Sequence, residues 1–322
     1  MSSSPTPRAQ LRPEIQALRA VAVAAVLLFH LWPNRLTGGY VGVDVFFAIS
    51  GFLITAHLLR EVDATGRIRF AAFWARRARR LLPASLLVLA VSAGGTYLFV
   101  PQEKWQQFFS EIGASALYVQ NWLLAHNAVD YLASENAPSV AQHFWTLSAE
   151  EQYYAVWPLL IAVVLLLARR RSTRVRRNSL LAVLVLLTAA SLAYSVWETS
   201  TNPSVAYFIT PTRIWEFGLG AIVAFVWPEP AGGVRLRVLM SWVGLGCIAV
   251  ATIVFTADTV FPGYAAALPV VGALLVIVAG PVAHPAGTLW LARLRPVQFL
   301  GDVSYSVYLW HWPLIVLAPY VL

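Results

Sequence analysis

The sequence is short of charge, nearly without lysine and all but without cysteine, and each shortage narrows what the chain can be. Charged residues make up 12% of the 322, where a soluble domain needs about 25% to cover its surface. Hydrophobic residues reach 59% and mean hydropathy is +0.66, so lipid must be the solvent for much of the surface. The single cysteine, Cys247, lies in an apolar run, which excludes a disulfide framework and a thiolate metal site and leaves core packing. No zinc signature, P-loop, GxSxG elbow or helix-opening GxGxxG is present, so soluble hydrolases and nucleotide-driven pumps lose support. No internal repeat is visible, which weakens a transporter built from inverted halves. The first 14 residues are polar and no small-residue cleavage site follows the first apolar run, so no cleavable signal peptide is expected.

What charge there is has a pattern. The net charge of +8 suggests nucleic acid until its distribution is read. Twenty of the 23 Lys and Arg fall at 8–19, 60–80, 169–177, 235–237 and 293–295, between apolar segments; only Arg35, Lys104 and Arg213 lie elsewhere. Cations gathered in alternate loops mark the cytoplasmic side of a membrane protein. The basic balance reports topology, and no nucleic-acid partner is expected.

A spanning helix needs about 20 mostly apolar residues. Such segments occur near 15–32, 41–60, 79–100, 144–168, 179–197, 207–227, 238–256, 264–280 and 299–320. With the N-terminus inside, every basic cluster then faces the cytoplasm. Residues 106–125 are apolar enough to consider, but as a full span they would put Arg169 to Arg177 outside. That stretch is expected to be a re-entrant or interfacial helix on the outer face, its polar groups satisfied by protein or a wet cavity. The fold class is therefore all-α: a polytopic transmembrane bundle of about nine spans in one membrane domain over 1–322. Residues 1–12 form a polar cytoplasmic N-terminus, and the lipid bilayer is the first partner.

Several polar residues interrupt the spans. Arg19 and His30 are eleven apart, so they share one helix face with a rise of about 16 Å between them. Ionisable groups at such depth usually face a cavity. His30 is then either a general base with Arg19 contacting an anionic donor, or a buried ring with one hydrogen bond beside a snorkelling arginine. Asp44, a short loop away, could orient the His30 imidazole as in a triad, or serve as a helix-start charge. Gly42 and Gly51 suit close helix contacts. In FWARRARRLLPA, Arg77 and Arg80 share a face, as do Arg76 and Arg79. Either pair suits phosphate or pyrophosphate, or simply anchors the helix at the cytoplasmic face. Glu150 and Glu151 enter a span together, favoured by the helix dipole. Arg213 and Glu216 are three apart inside a span and are expected to pair. Near the chain end, Asp302 is a candidate cap for the last helix, followed by Ser304, Tyr305 and His311. His311 reads equally as a proton carrier or as a packed ring between Trp310 and Trp312.

Six stretches, RPEIQALRAVAVAAVLLFH, GGYVGVDVFFAISGFLIT, FWARRARRLLPA, FWTLSAEEQYYAVWP, RIWEFGLGA and FLGDVSYSVYLWHWP, run in order from residue 12 to the chain end. Together they resemble the acyltransferase-3 family of integral membrane acyltransferases. The first two are most similar to the subgroup fused to an extracytoplasmic SGNH-type domain. The resemblance implies transfer of an acyl group, commonly acetyl, from cytoplasmic acyl-CoA to a hydroxyl of an envelope carbohydrate or glycolipid. Acyl-CoA is then a co-substrate, with no bound cofactor or metal expected, and the setting is the plasma membrane. The family's Arg-x10-His motif falls on Arg19 and His30, and its RxxR motif on Arg77 and Arg80. Family members continue past YLWHWP through another span, and this subgroup adds the SGNH domain. Ending at Leu322, the chain is expected to lack both. The expected route takes the donor from the Arg77 and Arg80 face, past Arg19, to His30, acting as base or as acyl carrier. Two other readings remain: a proton-coupled secondary transporter using His30 and Asp44, and a non-catalytic bundle binding an acylated lipid.

Overall fold

The computed structural model describes residues 12–129 and 138–321; the polar N-terminal stretch expected at 1–12 lies, apart from Arg12, outside the described residues. Among the described residues there are thirteen α-helices and three short 3-10 turns, and no strand. In chain order the helices are α1 (Pro13–Leu31), α2 (Gly42–Thr65), α3 (Phe70–Phe99), α4 (Trp105–Ala116), α5 (Gln120–Val129), α6 (Phe144–Leu167), α7 (Thr173–Thr201), α8 (Pro203–Phe208), α9 (Ile214–Val226), α10 (Val234–Val254), α11 (Ala267–Ala279), α12 (Leu289–Ala292) and α13 (Arg295–Val321). Each expected span overlaps one of them, but the span expected at 207–227 holds the end of α8 and a 3-10 turn before α9. Six (α1, α2, α3, α6, α7 and α10) are long and apolar enough to cross a membrane. Two others, α9 and α11, have 13 residues each, about 20 Å of helix. The last, α13, is long at 27 residues.

Local signals set the helix ends. Pro13 opens α1 at a position where its missing N–H costs nothing. Gly66 closes α2 in the left-handed region at φ +72°. The Ser172 hydroxyl accepts from the Val175 N–H and starts α7. The segment expected to be re-entrant breaks at Tyr118, where φ is +55°, into α4 and α5, of 12 and 10 residues. At about 15–18 Å each, neither can span.

The bundle is apolar outside as well as in. On α6, Val156, Leu159, Val163, Leu166 and Leu167 are exposed at three- and four-residue spacing, a stripe that only lipid would cover. Cohesion comes from close backbone approach rather than from hydrophobicity. A Cβ on Gly42 would collide with the Ala22 carbonyl of α1, and one on Gly51 with the Phe217 carbonyl of α9, so both glycines act in helix contact as expected. α2 packs most extensively on α9, α10 on α11, and α1 on α13. Cys247 is half-buried on α10, beside Gly272 of α11.

Candidate active site

Two cavities open along α1 and α13. The one nearer the start of α1, called inner after the topology expected from the sequence, is about 110 Å³ and is lined by Arg19 of α1, Arg77 and Arg80 of α3, Ser50 of α2, Glu150 and Tyr154 of α6, and Ser304 and Tyr305 of α13. Arg77 and Arg80, expected to share a face, thus line one cavity together with Arg19. The Arg77 guanidinium lies over the Tyr154 ring, 4.0 Å from its centre. Glu150 accepts from both the Ser50 and Tyr154 hydroxyls. Ser304 is fully buried, and its Oγ has no hydrogen-bond partner among the described residues. The Tyr305 hydroxyl donates to the Leu81 carbonyl at 3.0 Å, tying α13 to α3.

The other arginine pair goes elsewhere. Arg76 lies 3.1 Å from His57 Nε2 and Arg79 bonds its own helix at the Ala75 carbonyl, both exposed and neither in a cavity wall. Glu151 also lines neither cavity.

Asp302 corrects an expectation. The last helix begins at Arg295, so Asp302 sits two turns inside it and caps nothing. Instead its Oδ1 accepts from Gln16 Nε2 at 2.7 Å, and Gln16 Oε1 accepts from Arg19 at 3.1 Å. That relay places the Arg19 guanidinium at the mouth of the inner cavity.

The outer cavity is larger, about 430 Å³, and is lined by His30, His143, Trp145, Tyr207 and Trp312 among others. His30 Nδ1 lies 3.0 Å from His311 Nε2, and His311 Nδ1 lies 2.6 Å from the Tyr308 carbonyl. A carbonyl only accepts, so His311 carries its proton on Nδ1. In a neutral imidazole its Nε2 is then the acceptor, and His30 donates through Nδ1. That leaves the His30 Nε2 lone pair unprotonated. Trp312, whose Nε1 donates to the Ser139 carbonyl at 2.8 Å, holds its ring 4.6 Å from the His30 ring. The Glu111 carboxylate accepts from Gln107, Gln120 and Ser139, and so pins the chain that leads into His143 against α4 and α5.

Asp44 is the second correction. It does not orient His30; it pairs at 3.2 Å with Arg213, which also holds Glu216 at 2.9 Å. All three side chains are fully buried. His30 ends α1 on the side facing α13, whereas Asp44 sits in the first turn of α2 on the side facing α9. The short loop between them sets their separation along the chain but not their azimuth. The Arg213–Glu216 pairing is as expected. Trp145 and Tyr207 lie within 6 Å of the Arg213 guanidinium and also line the outer cavity, so the ion cluster braces that wall from behind.

Two residues of the site went unnoticed in the sequence. His143 stands one residue ahead of FWTLSAEE, with Nε2 3.1 Å from the Leu309 carbonyl. Tyr308 lies four after Ser304 and three before His311, a spacing that puts all three on one helical face.

Residues 12–322 match the acyltransferase-3 family model, described as an acyltransferase domain. The chain is 33% identical over 326 residues to the peptidoglycan O-acetyltransferase OatA of Listeria monocytogenes, covering 96% of this chain and 50% of that one. It is 32% identical over 314 residues to the O-acetyltransferase OatA of Staphylococcus aureus, covering 94% and 50%. The chain thus spans about half the length of the curated relatives it matches. No solved structure matches it.

Proposed function

The chain belongs to the acyltransferase-3 family, and from that premise we propose that it is a multi-pass plasma-membrane O-acyltransferase with its N-terminus in the cytoplasm. It takes an acetyl group from cytoplasmic acyl-CoA and passes it to a hydroxyl of an extracytoplasmic envelope carbohydrate. The observation that carries this reading is the placement of an arginine-lined cavity and a histidine-based cavity along the same two helices. The relatives' names supply the acetyl group and, for one of them, peptidoglycan.

Three arginines against Glu150 leave the inner cavity cationic, which suits the phosphates of CoA. The unpartnered Ser304 hydroxyl is placed to bind an amide of the pantetheine arm. In the outer cavity the His30 Nε2 lone pair takes the proton of the acceptor hydroxyl. The oxygen attacks the thioester carbonyl, the C–S bond breaks, and CoA leaves as a thiolate that takes up a proton. In the covalent variant, Nε2 accepts the acyl group first and the hydroxyl receives it second. His311 holds His30 in the tautomer both routes need. The transporter reading, which called on His30 and Asp44 as a proton relay, gains no support from an Asp44 committed to Arg213.

The test is CoA release from labelled acetyl-CoA by the protein in nanodiscs, with soluble peptidoglycan fragments as acceptor, comparing wild type with His30→Ala. The reading expects release by the wild type and about 10³-fold less by the variant at matched thermal stability. Label retained on His30 marks the covalent route. Full release by a folded His30→Ala protein contradicts both routes.

A further inference from the structure

The two cavities share two wall residues, Val43 of α2 and Tyr308 of α13. Both are buried, at 6% exposure each. Tyr308 is held at both ends. Its hydroxyl lies 2.6 Å from Thr146 Oγ1 and 3.2 Å from the His143 carbonyl, and the Thr146 hydroxyl reaches that same carbonyl at 3.1 Å. Its own carbonyl accepts from His311. The Phe46 ring stands edge-on to it with centres 6.4 Å apart. A phenol so fixed does not swing aside freely, because rotation breaks two buried hydrogen bonds.

On the reading above, the donor's phosphates rest on the inner arginines while its thioester carbon must meet His30 Nε2 in the outer cavity. The acyl group is the leading end of that donor. We propose that Val43 and Tyr308 form the passage through which the acyl end enters the outer cavity, and that the fixed Tyr308 ring restricts the enzyme to short acyl chains. This inference rests on the acyltransfer reading and adds to it the determinant of acyl length. The transfer is unchanged by it: the thioester C–S bond breaks, the ester C–O bond forms, and the hydroxyl proton moves through His30 to the departing thiolate. What the passage decides is which acyl groups arrive. In a tight apolar site each extra methylene changes discrimination by about 10- to 200-fold, and a rigid ring on one side keeps the site tight.

The experiment compares CoA release from acetyl-, propionyl- and butyryl-CoA by the whole chain in nanodiscs, with soluble peptidoglycan fragments as acceptor. Each variant's acetyl rate serves as its own reference, and thermal unfolding checks its fold. Val43→Ala, which enlarges the passage, is expected to raise the butyryl-to-acetyl ratio about tenfold. Tyr308→Phe, which frees the ring from Thr146 and the His143 carbonyl, is expected to raise it several-fold. Val43→Ile, which fills space, is expected to lower the propionyl-to-acetyl ratio. Ratios unchanged in all three variants, with acetyl transfer retained, overturn the passage. A wild type that releases no CoA from acetyl-CoA overturns the acyltransfer reading, and this inference with it.

Discussion

The inner and outer cavities draw on the same two helices, yet they are finished differently. α1 contributes Arg19 to the inner and His30 to the outer; α13 contributes Ser304 to the inner, His311 behind His30 to the outer, and Tyr308 to both. The inner wall is cationic and keeps spare capacity: Arg80 is exposed and Ser304 Oγ has no partner among the described residues, while Glu150 and Tyr305 are bonded within the wall. The outer wall is tied down. His30 bonds His311, His311 bonds the Tyr308 carbonyl, His143 bonds the Leu309 carbonyl and Trp312 bonds the Ser139 carbonyl. The difference fits a division of labour. A cavity that captures a long anionic ligand needs charge and spare hydrogen-bonding capacity, whereas one that performs chemistry needs groups already aimed.

Substitutions can break that contrast or sharpen it. The largest effect is expected at His30: His30→Ala should lower acetyl transfer by about 10³-fold, the scale of a lost general base, with CoA binding retained. His311→Ala should cost about 10²-fold in kcat with little change in KM for acetyl-CoA, because it frees the His30 tautomer without touching the inner cavity. A rise in KM equal to the fall in kcat would blur the division. Arg213→Met should lower stability by about 3–5 kcal/mol, since it strands two buried carboxylates; thermal unfolding in detergent reads this. Arg77→Ala or Arg80→Ala should raise KM for acetyl-CoA by about tenfold through loss of a charged hydrogen bond, with kcat nearly unchanged. Arg76→Ala and Arg79→Ala, on the outward side of α3, should move either constant by less than about twofold.

Much of this was legible before the structure. The spans were, because lipid demands long apolar runs. That 106–125 does not span was, because a tenth span would have put Arg169 to Arg177 on the wrong side; its break at Tyr118 was not. Arg19 and His30 share a face because an eleven-residue interval is nearly three whole turns, yet they line two different cavities. What was not legible is azimuth between helices. Arg76 with Arg79 and Arg77 with Arg80 have identical spacing, and only the packing of α3 against α6 and α13 turns the second pair inward. Asp44 lies close to His30 along the chain but is rotated towards α9, where Arg213 waits. Asp302 cannot cap because α13 starts at Arg295, eight residues earlier than a cap there would require. His143 lies just outside the six stretches and Tyr308 inside one, where spacing alone does not single it out; they matter because α6 and α13 meet there.

The claim that the two cavities divide binding from chemistry is tested most directly by the affinity of CoA for three proteins in nanodiscs: wild type, His30→Ala, and the double variant Arg77→Ala with Arg80→Ala. The account predicts that His30→Ala binds CoA as the wild type does, while the double variant binds about 100-fold more weakly. Equal weakening in His30→Ala, or undiminished binding in the double variant, would contradict it.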